Sequence, residues 1–326
     1  MTEGGTARLR GAMAAAGVGW DQVAECRDLG GGTFSAVSVM TLASGERLVV
    51  KIPPAPETLL SYERGILGTE VLFYRLASHL PGVTVPAVLA ADAAGADGGY
   101  LVMTYCPGHT WQGLVPPLAG QEREELRAEL GRQVARLHTI AGTGFGYPSG
   151  ALGPLRDSWR AAFGGMVDAV LADAERFAVT LPRPAAEIRA LFAARGGLLD
   201  EVTTSVLTHF DLWDGNILIE SGPDGRRVGA LIDAERAFWG DPLADLVSLA
   251  LFHDIEQDAA FLRGYRDEGG KVAFDPAERE RIALYRAYLH LIMWIEAAPR
   301  QYGDKQLAWL RGFAYEPLTE AFARWG

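Results

Sequence analysis

Short apolar runs, several of them rich in β-branched residues, alternate with polar, glycine-rich turns along the first hundred residues, and this pattern predicts β-strands. These strands are predicted at Thr33–Leu42, Arg47–Ile52, Val83–Ala90 and Tyr100–Tyr105. Between the second and third strands, apolar residues recur at helical spacing over Ile66–Leu80, and Pro81-Gly82 ends that segment. The pattern therefore predicts a small β-rich lobe that contains one helix.

The pattern changes from Gln121 onward, where apolar residues recur every three or four positions. The predicted helices are Gln121–Ile140, Ala151–Arg176, Pro184–Leu199, Pro242–Ile255, Asp258–Asp267 and Pro276–Ala297. Short strands interrupt them at Val206–Thr208, paired with Ile217–Glu220, and at Val228–Asp233. The sequence thus predicts an α+β fold of two lobes, with a β-rich lobe of residues 1–105 and a mostly helical lobe of residues 106–326.

Composition and charge narrow the class of protein. The 326 residues include 30 Lys and Arg against 41 Asp and Glu, so the net charge of −11 argues against a nucleic-acid partner. Most of this negative charge lies from Tyr105 onward, which favours a cationic small molecule near the helical lobe. The two cysteines form no disulfide framework, and no apolar run is long enough to cross a membrane. We therefore expect a cytoplasmic protein, either a monomer or a homodimer.

The most informative motif is a polar loop between two apolar strands, running from His209 to Asn216 with the sequence HFDLWDGN. Asp211 can accept a proton from a hydroxyl group, and the amide oxygen of Asn216 suits a hard cation. A polar β-hairpin, in which these side chains only satisfy the turn, is the alternative interpretation.

Asp233 closes the later apolar strand, where its carboxylate suits Mg²⁺ together with the loop that holds Asp211 and Asn216. Downstream, Asp241-Pro242 is typical of a helix start. We expect Asp241 and Asp245 to be structural helix caps.

Lysine is rare in this chain, which has only three, and Lys51 lies within an apolar strand. Strand alternation places Lys51 on the same face as Val49, so it needs an anionic partner or must reach solvent. The following helix offers Glu70, with Glu63 as a competitor. A Lys–Glu pair directed at a phosphate is part of phosphoryl-transfer sites, whereas a solvated edge lysine is the alternative.

A glycine-rich turn, Gly30-Gly31-Gly32-Thr33, opens the first predicted hairpin and could approach phosphate groups. Such turns are common, and the Walker pattern is absent.

The order of these parts, from about Leu29 to Phe252, resembles the protein-kinase-like superfamily. Details look like its aminoglycoside phosphotransferase branch and the related choline, fructosamine and homoserine kinases. The matching segments are His209-x-Asp211-x-x-x-x-Asn216, Ile232-Asp233-Ala-Glu235, Arg136-Leu137-His138 and Asp241-Pro-x-x-Asp245-Leu. Trp213 stands where protein kinases carry a lysine, and only eight positions separate Asp233 from Asp241. That spacing leaves no room for a peptide-docking activation segment, so a small-molecule acceptor is favoured.

The resemblance implies a role for each matching residue. Asp211 would be the catalytic base, Lys51 with Glu70 would neutralise nucleotide phosphates, and Asn216 and Asp233 would hold Mg²⁺. The nucleotide would also contact Gly31, Gly32, Thr33, Ser35, Met103, Tyr105 and Cys106. His209 would support the loop by hydrogen bonding, with a purely structural histidine as the alternative.

The sequence therefore predicts a Mg²⁺-dependent kinase that transfers the γ-phosphoryl group of ATP or GTP to a hydroxyl of an antibiotic-like acceptor, in resistance or self-resistance. Asp211, Asp254 and Glu296 are its candidate acceptor residues, with Trp294 as a candidate aromatic contact. A metabolic kinase for choline, homoserine, fructosamine or a sugar is the first alternative. A nucleotide-binding pseudokinase, a metal hydrolase and an interaction protein are alternatives of other classes.

Overall fold

Five antiparallel strands form the sheet of the N-terminal lobe in a computed structural model that describes residues 3–29, 35–54, 56–93, 99–223 and 225–326. The strands are β1 (Val23–Asp28), β2 (Ala36–Leu42), β3 (Arg47–Ile52), β4 (Val88–Asp92) and β5 (Tyr100–Thr104). Their order across the sheet is β1-β2-β3-β5-β4. The central strand β3 pairs Lys51 with Val37 on β2 and with Leu101 on β5.

A helix covers each face of this sheet. Helix α1 (Glu3–Ala15) packs Leu9 and Met13 against the face that carries Val50 and Val102. Helix α2 (Ile66–Ala77) lies on the opposite face, which carries Val49 and Met103. Because side chains alternate along a strand, Lys51 lies on the α2 face. Helix α1 was not predicted, because its alanines and glycines form only a weak apolar stripe.

Two strands of this lobe differ from the prediction. β4 begins at Val88, and not at Val83, because Pro86 has no backbone N–H for a strand ladder. β1 was not predicted because it is an edge strand with four exposed positions out of six, so it lacks a buried stripe. The start of the predicted first strand falls on residues 30–34, outside the described residues.

The C-terminal lobe is mostly helical, as predicted. Its helices are α3 (Gly120–Leu137), α4 (Trp159–Arg176), α5 (Ala185–Ala194), α6 (Asp245–Leu249), α7 (Ala259–Asp267), α8 (Pro276–Glu296), α9 (Asp304–Leu310) and α10 (Glu316–Trp325). A π-helical turn, Arg311–Tyr315, joins the last two. The predicted helix 151–176 begins only at Trp159, where Ser158 caps it. The predicted helix 242–255 is largely reduced to the short α6.

Short strands frame the loop that contains Asp211. β7 (Val206–Thr208) pairs with β10 (Phe238–Gly240), while β8 (Ile217–Gly222) pairs with β9 (Gly225–Leu231) and with β6 (His109–Thr110). The predicted pairing of Val206–Thr208 with Ile217–Glu220 is therefore wrong, because the intervening loop carries the two strands into different sheets. The observed architecture is the predicted α+β fold of two lobes. We propose residues 105 and 106 as their boundary, since β5 ends at Thr104 and β6 belongs to a sheet of the helical lobe.

Candidate active site

Lys51 lies at the centre of a buried ionic cluster between the two lobes. Its Nζ donates to Glu70 Oε2 at 2.8 Å, to Glu235 Oε2 at 2.7 Å and to Asp233 Oδ1. Only 4% of Lys51 is exposed, and Glu70 is fully buried. The structure thus places Glu70 on Lys51, whereas the competitor Glu63 pairs with Arg300 at 2.6 Å.

Charge and burial set the protonation of this cluster. Burial lowers the pKa of Lys51, but the three carboxylates outweigh burial and raise it well above its usual value. Burial raises the pKa of Glu235 to about 8, although Lys51 opposes that effect. At Asp233 burial also raises the pKa, but the ammonium of Lys51 is stronger, so the carboxyl group stays ionised at neutral pH. Lys51 is therefore cationic at neutral pH, and the carboxyl groups that hold it differ in proton affinity.

Tyr74 joins two members of the cluster from helix α2. Its hydroxyl donates to Glu70 Oε1 at 2.7 Å and accepts from the backbone N–H of Asp233 at 2.9 Å. Tyr74 was not among the site residues predicted from the sequence. Its position four residues after Glu70, on the same face of the helix, was the available signal. Glu235 was likewise quoted only as part of a motif, two residues after Asp233.

The loop between β7 and β8 presents Asp211, whose side chain is 21% exposed. The Asn216 side-chain amide donates to the backbone oxygen of Asp211 at 2.7 Å and to its Oδ2 at 3.3 Å. His209 accepts from the backbone N–H of Asp211 at Nδ1 and contacts the Ile232 carbonyl oxygen at 3.0 Å through Nε2. His209 thus supports the loop by hydrogen bonding, in the manner that the resemblance implied.

Asp245, the first residue of α6, anchors the backbone of this loop. Its carboxylate accepts from the backbone N–H groups of His209 at 2.9 Å and Phe210 at 2.6 Å, and it contacts His138 at 3.0 Å. Phe210 adopts a left-handed backbone with φ of 58°, a strained conformation that this anchor holds in place. The prediction that Asp245 caps a helix is therefore wrong, although its role is structural. Asp241 does cap the following 3-10 turn, because it accepts from Leu243 N.

Burial raises the pKa of Asp211 to about 7, and nearby Asp233 contributes to the rise, whereas Arg236 opposes it. The Arg236 guanidinium lies 3.9 Å from Asp211 and pairs with Glu296 at 2.9 Å. A carboxylate with a pKa near neutrality is suited to accept a proton from an alcohol. Arg236 was not singled out from the sequence, since only the fold brings it next to Asp211.

The oxygen donors present fit a magnesium ion. The side chain of Asp233 is 40% exposed. Lys51 contacts its Oδ1, which leaves Oδ2 as the oxygen that could bind a metal ion. The backbone oxygen of Asn216 accepts from Ile232 N at 3.0 Å, which places Asn216 beside Asp233. Because Asn216 donates its amide N–H to Asp211, its amide oxygen is turned away from that residue. Carboxylate and amide oxygens are the ligands that Mg²⁺ prefers.

The predicted nucleotide contacts are only partly described. Gly31, Gly32 and Thr33 lie outside the described residues. Ser35 is buried, and its Oγ has no hydrogen-bond partner among the residues that the structure describes. Met103 is buried on β5, next to Val49 on the strand of Lys51. Tyr105 and Cys106 follow β5 directly, and burial raises the pKa of the Cys106 thiol to about 11, so it is neutral.

The candidate acceptor residues are not assembled into one acidic pocket. Glu296 lies near Asp211 through Arg236, but it is buried and pairs with Arg236 and Arg300. Asp254 is exposed and caps a 3-10 turn by accepting from Glu256 N. Trp294 donates to the Thr180 carbonyl oxygen at 2.9 Å, so its indole N–H is engaged in the helical lobe.

The fold and the geometry of this site are typical of one class of enzyme. A lysine of a β-rich lobe faces an aspartate loop of a helical lobe, which is the arrangement of protein-kinase-like phosphotransferases. The sequence profile of the phosphotransferase enzyme family (APH) matches residues 25–285. The chain therefore belongs to this family and is a phosphotransferase.

Solved structures share the fold over nearly the whole chain. Macrolide 2'-phosphotransferase type I is 21% identical with a TM-score of 0.62, covering 96% of this chain and 98% of that one. A predicted fructosamine-3-kinase of Thermobifida fusca is 22% identical with a TM-score of 0.67, covering 96% and 97%. The APH(2'')-IIa complex with streptomycin and ATP is 18% identical with a TM-score of 0.63, covering 99% and 98%. No curated protein sequence matches this chain significantly.

Proposed function

We propose that this phosphotransferase is a Mg²⁺-dependent small-molecule kinase that transfers the γ-phosphoryl group of ATP to a hydroxyl of an antibiotic-like acceptor. GTP is the alternative donor. The observation that carries the proposal is the buried Lys51, held by Glu70 and Asp233, beside a loop that presents Asp211. Two of the similar structures carry antibiotics in their names, which supports this acceptor class and a role in resistance or self-resistance.

The reaction follows from the geometry of the chain's own groups. Lys51 would bind the nucleotide phosphates once their negative charge replaces some of its carboxylate contacts. The acceptor hydroxyl would lie against Asp211, which takes its proton as the alcohol oxygen bonds to the γ-phosphorus. The bond from that phosphorus to the β–γ bridging oxygen breaks, and the nucleoside diphosphate leaves. Asp233 and Asn216 would hold the magnesium ion, which neutralises phosphate charge when bound.

A metabolic kinase is the second candidate, since the fructosamine-3-kinase structure has a TM-score of 0.67 to this chain. Both candidates are expected to act in the cytoplasm, where ATP is available. No helix of the described residues is long and apolar enough to span a membrane.

Replacing Asp211 by Asn tests the proposed function. Asn cannot take the hydroxyl proton, so kcat should fall about 10²- to 10⁴-fold. The Kd for MgATP should change less than twofold, because Lys51 and Asp233 are intact. Nucleotide consumption across a panel of antibiotics and small alcohols measures the first quantity, and calorimetry measures the second.

The matched control is Asp168→Asn, which removes a carboxylate that pairs with Arg189 on an exposed surface. This control should keep full kcat. Unchanged turnover in Asp211→Asn would refute the proposed base. Nucleotide binding without turnover on any acceptor by the unsubstituted chain would favour the pseudokinase alternative.

A further inference from the structure

Four aromatic side chains form a continuous surface that begins in the loop of Asp211. We call this surface the aromatic wall; its members are Trp213, Phe252, Trp309 and Phe313. The ring centroids of Trp213 and Phe252 are 6.0 Å apart, those of Phe252 and Phe313 are 5.4 Å apart, and Trp309 stacks on Phe313 at 4.6 Å. Trp213 is two residues after Asp211, so the wall is continuous with the proposed phosphoryl-transfer site.

Much of this apolar surface is open to solvent. Phe252 is 56% exposed and Trp309 is 52% exposed, which makes them two of the six large exposed hydrophobic residues in the described part of the chain. Leaving such rings in water is unfavourable, and a contiguous apolar patch on a soluble protein is typical of a binding surface. The wall therefore needs an explanation other than packing of the lobe.

Local structure fixes two members of the wall, Trp213 and Phe313. At one end, the Trp213 ring lies over Gly215, where a Cβ atom would come within 2.3 Å of it. Further along the wall, Phe313, which links Phe252 to Trp309, sits in the π-helical turn between α9 and α10. Single π-helical turns occur frequently at functional sites because the extra residue redirects side chains. Local contacts and backbone geometry therefore restrict the positions of these two rings.

Several polar groups near the wall are already engaged in contacts within the helical lobe. Glu256 binds Arg279 at 2.7 Å, and Asp258 binds Arg127 at 2.6 Å. Asp254 caps a 3-10 turn by accepting from the backbone N–H of Glu256. The ring centroids of His290 and Phe313 are 5.7 Å apart. Burial lowers the pKa of His290 to about 4, so this histidine is neutral at pH 7. These contacts leave an apolar surface that is poorly suited to a molecule with several positive charges.

We propose that the aromatic wall is the acceptor platform, and that the acceptor is an alcohol on a broad apolar ring face with few positive charges. This inference rests on the proposed kinase function and replaces the cationic acceptor that the sequence favoured. Apolar ring faces gain from burying aromatic surface, and the position of Trp213 would direct a hydroxyl of the seated molecule toward Asp211.

A small molecule fits the wall better than a second copy of the chain does. A stable protein interface buries about 800 Å² per partner. Four aromatic side chains of about 150–250 Å² each, of which Phe252 and Trp309 are about half exposed and Trp213 and Phe313 are half-buried, offer far less than that. Continuity with the loop of Asp211 also places the surface where a substrate must lie.

The test uses the full-length protein with MgATP, and compares a macrolide, which has a large lactone ring and few amines, with a polycationic aminoglycoside. Phe252→Ala and Trp309→Ala should each raise the KM for the macrolide roughly tenfold, as expected for the loss of one buried aromatic contact. The Kd for MgATP should stay within twofold. Leu89→Ala is the control, because Leu89 is 45% exposed on β4 in the other lobe.

Acceptor binding is measured separately by calorimetry on the Asp211→Asn protein, which keeps binding apart from chemistry. If Phe252→Ala unfolds, Phe252→Leu removes the ring and preserves apolar volume. If the protein phosphorylates the aminoglycoside and the wall variants do not change that turnover, the wall is not the acceptor platform, while the proposed kinase function stands. If macrolide binding depends on Phe252 but no acceptor is phosphorylated, the wall is a binding surface for such molecules and the proposed kinase function is wrong. A dimer that shields Trp309 from a fluorescence quencher would overturn the inference.

Discussion

At the scale of single residues, the candidate site depends on a cation that the fold has removed from water. An ammonium group buried without partners would lose its proton or destabilise the protein, but Lys51 meets three carboxylates within hydrogen-bond distance. In the proposed function, phosphate oxygens of the nucleotide would take over some of the contacts that these carboxylates make with Lys51. Tyr74 fixes two of the partners, because it bonds the Glu70 side chain and the Asp233 backbone at once.

Tyr74→Phe tests that positioning role. The change leaves Glu70 Oε1 and the Asp233 N–H without the hydroxyl that they share, while Lys51 still binds Glu70 Oε2, so the free energy of unfolding should fall by about 2 kcal/mol. Because Glu70 and Asp233 would be held less firmly, kcat/KM for the nucleotide should also fall about tenfold, which corresponds to about 1.4 kcal/mol. Denaturant unfolding and steady-state kinetics measure the two effects.

The control for this change is Tyr100→Phe, since Tyr100 packs on the opposite face of the sheet, beneath α1. Its kcat/KM should match that of the unsubstituted chain. If Tyr74→Phe lost stability but kept the same kcat/KM, Tyr74 would be structural only.

At the scale of elements, helices α3 and α7 approach unusually closely in the helical lobe. Added Cβ atoms at Gly131 and Gly264 would lie 2.2 Å from the Phe261 oxygen and 1.9 Å from the Ala128 oxygen. The close packing brings Arg127 on α3 to Asp258, which caps α7. Arg127 also lies 3.7 Å from Asp214 in the loop of Asp211, so this helix pair supports the site.

Gly264→Ala should separate these helices. A methyl group cannot fit against backbone atoms of Ala128, so the free energy of unfolding should fall by about 3 kcal/mol. Gly165→Ala is the matched control, because nothing lies within 4 Å of a Cβ atom at that exposed position in α4. The control should gain about 0.5–1 kcal/mol from the better helix former. Equal stabilities in the two variants would contradict the close packing.

At the scale of the whole molecule, buried polar contacts fasten the two lobes together. Glu63, in a 3-10 turn before α2, pairs with Arg300 after α8. The neighbouring Ser61 donates its N–H and its hydroxyl to Asp173 on α4, at 2.6 Å and 2.7 Å. Arg300 also contacts Glu296, which binds the Arg236 next to Asp211. The lobe junction and the candidate site therefore share one network of charges.

Arg300→Met should weaken the junction. Glu63 is 1% exposed, so the loss of its cation leaves a buried carboxylate uncompensated, and the free energy of unfolding should fall by about 3 kcal/mol. Arg189→Met breaks an exposed pair with Asp168 and should cost less than about 1 kcal/mol. Similar losses in the two variants, measured by denaturant unfolding, would show that the Glu63–Arg300 pair does not join the lobes.

Features that depend on a short stretch of sequence were predicted correctly, whereas features that depend on contacts between distant segments were not. The strand Arg47–Ile52 was predicted to the residue, because it is a short run rich in apolar residues between Ser44-Gly45 and Pro53, and both of its faces are buried. The pairing of Val206–Thr208 was wrong, because strand partners depend on contacts between distant segments. Asp245 was taken for a cap, since nothing local indicates that its carboxylate would bind the backbone of residues 36 positions earlier.

The sequence by itself determined the α+β class and the candidate residues Lys51, Asp211, Asn216 and Asp233, because apolar periodicity and motif spacing are local properties. Only the tertiary structure decided which charges meet. It placed Glu70 and not Glu63 on Lys51, and it paired Glu296 with two arginines, so that carboxylate is not available as a solitary anion. The aromatic wall came from the fold alone, because its four rings lie on three separate stretches of the chain. Side chains far apart in sequence become neighbours only when burial and packing bring their backbones together.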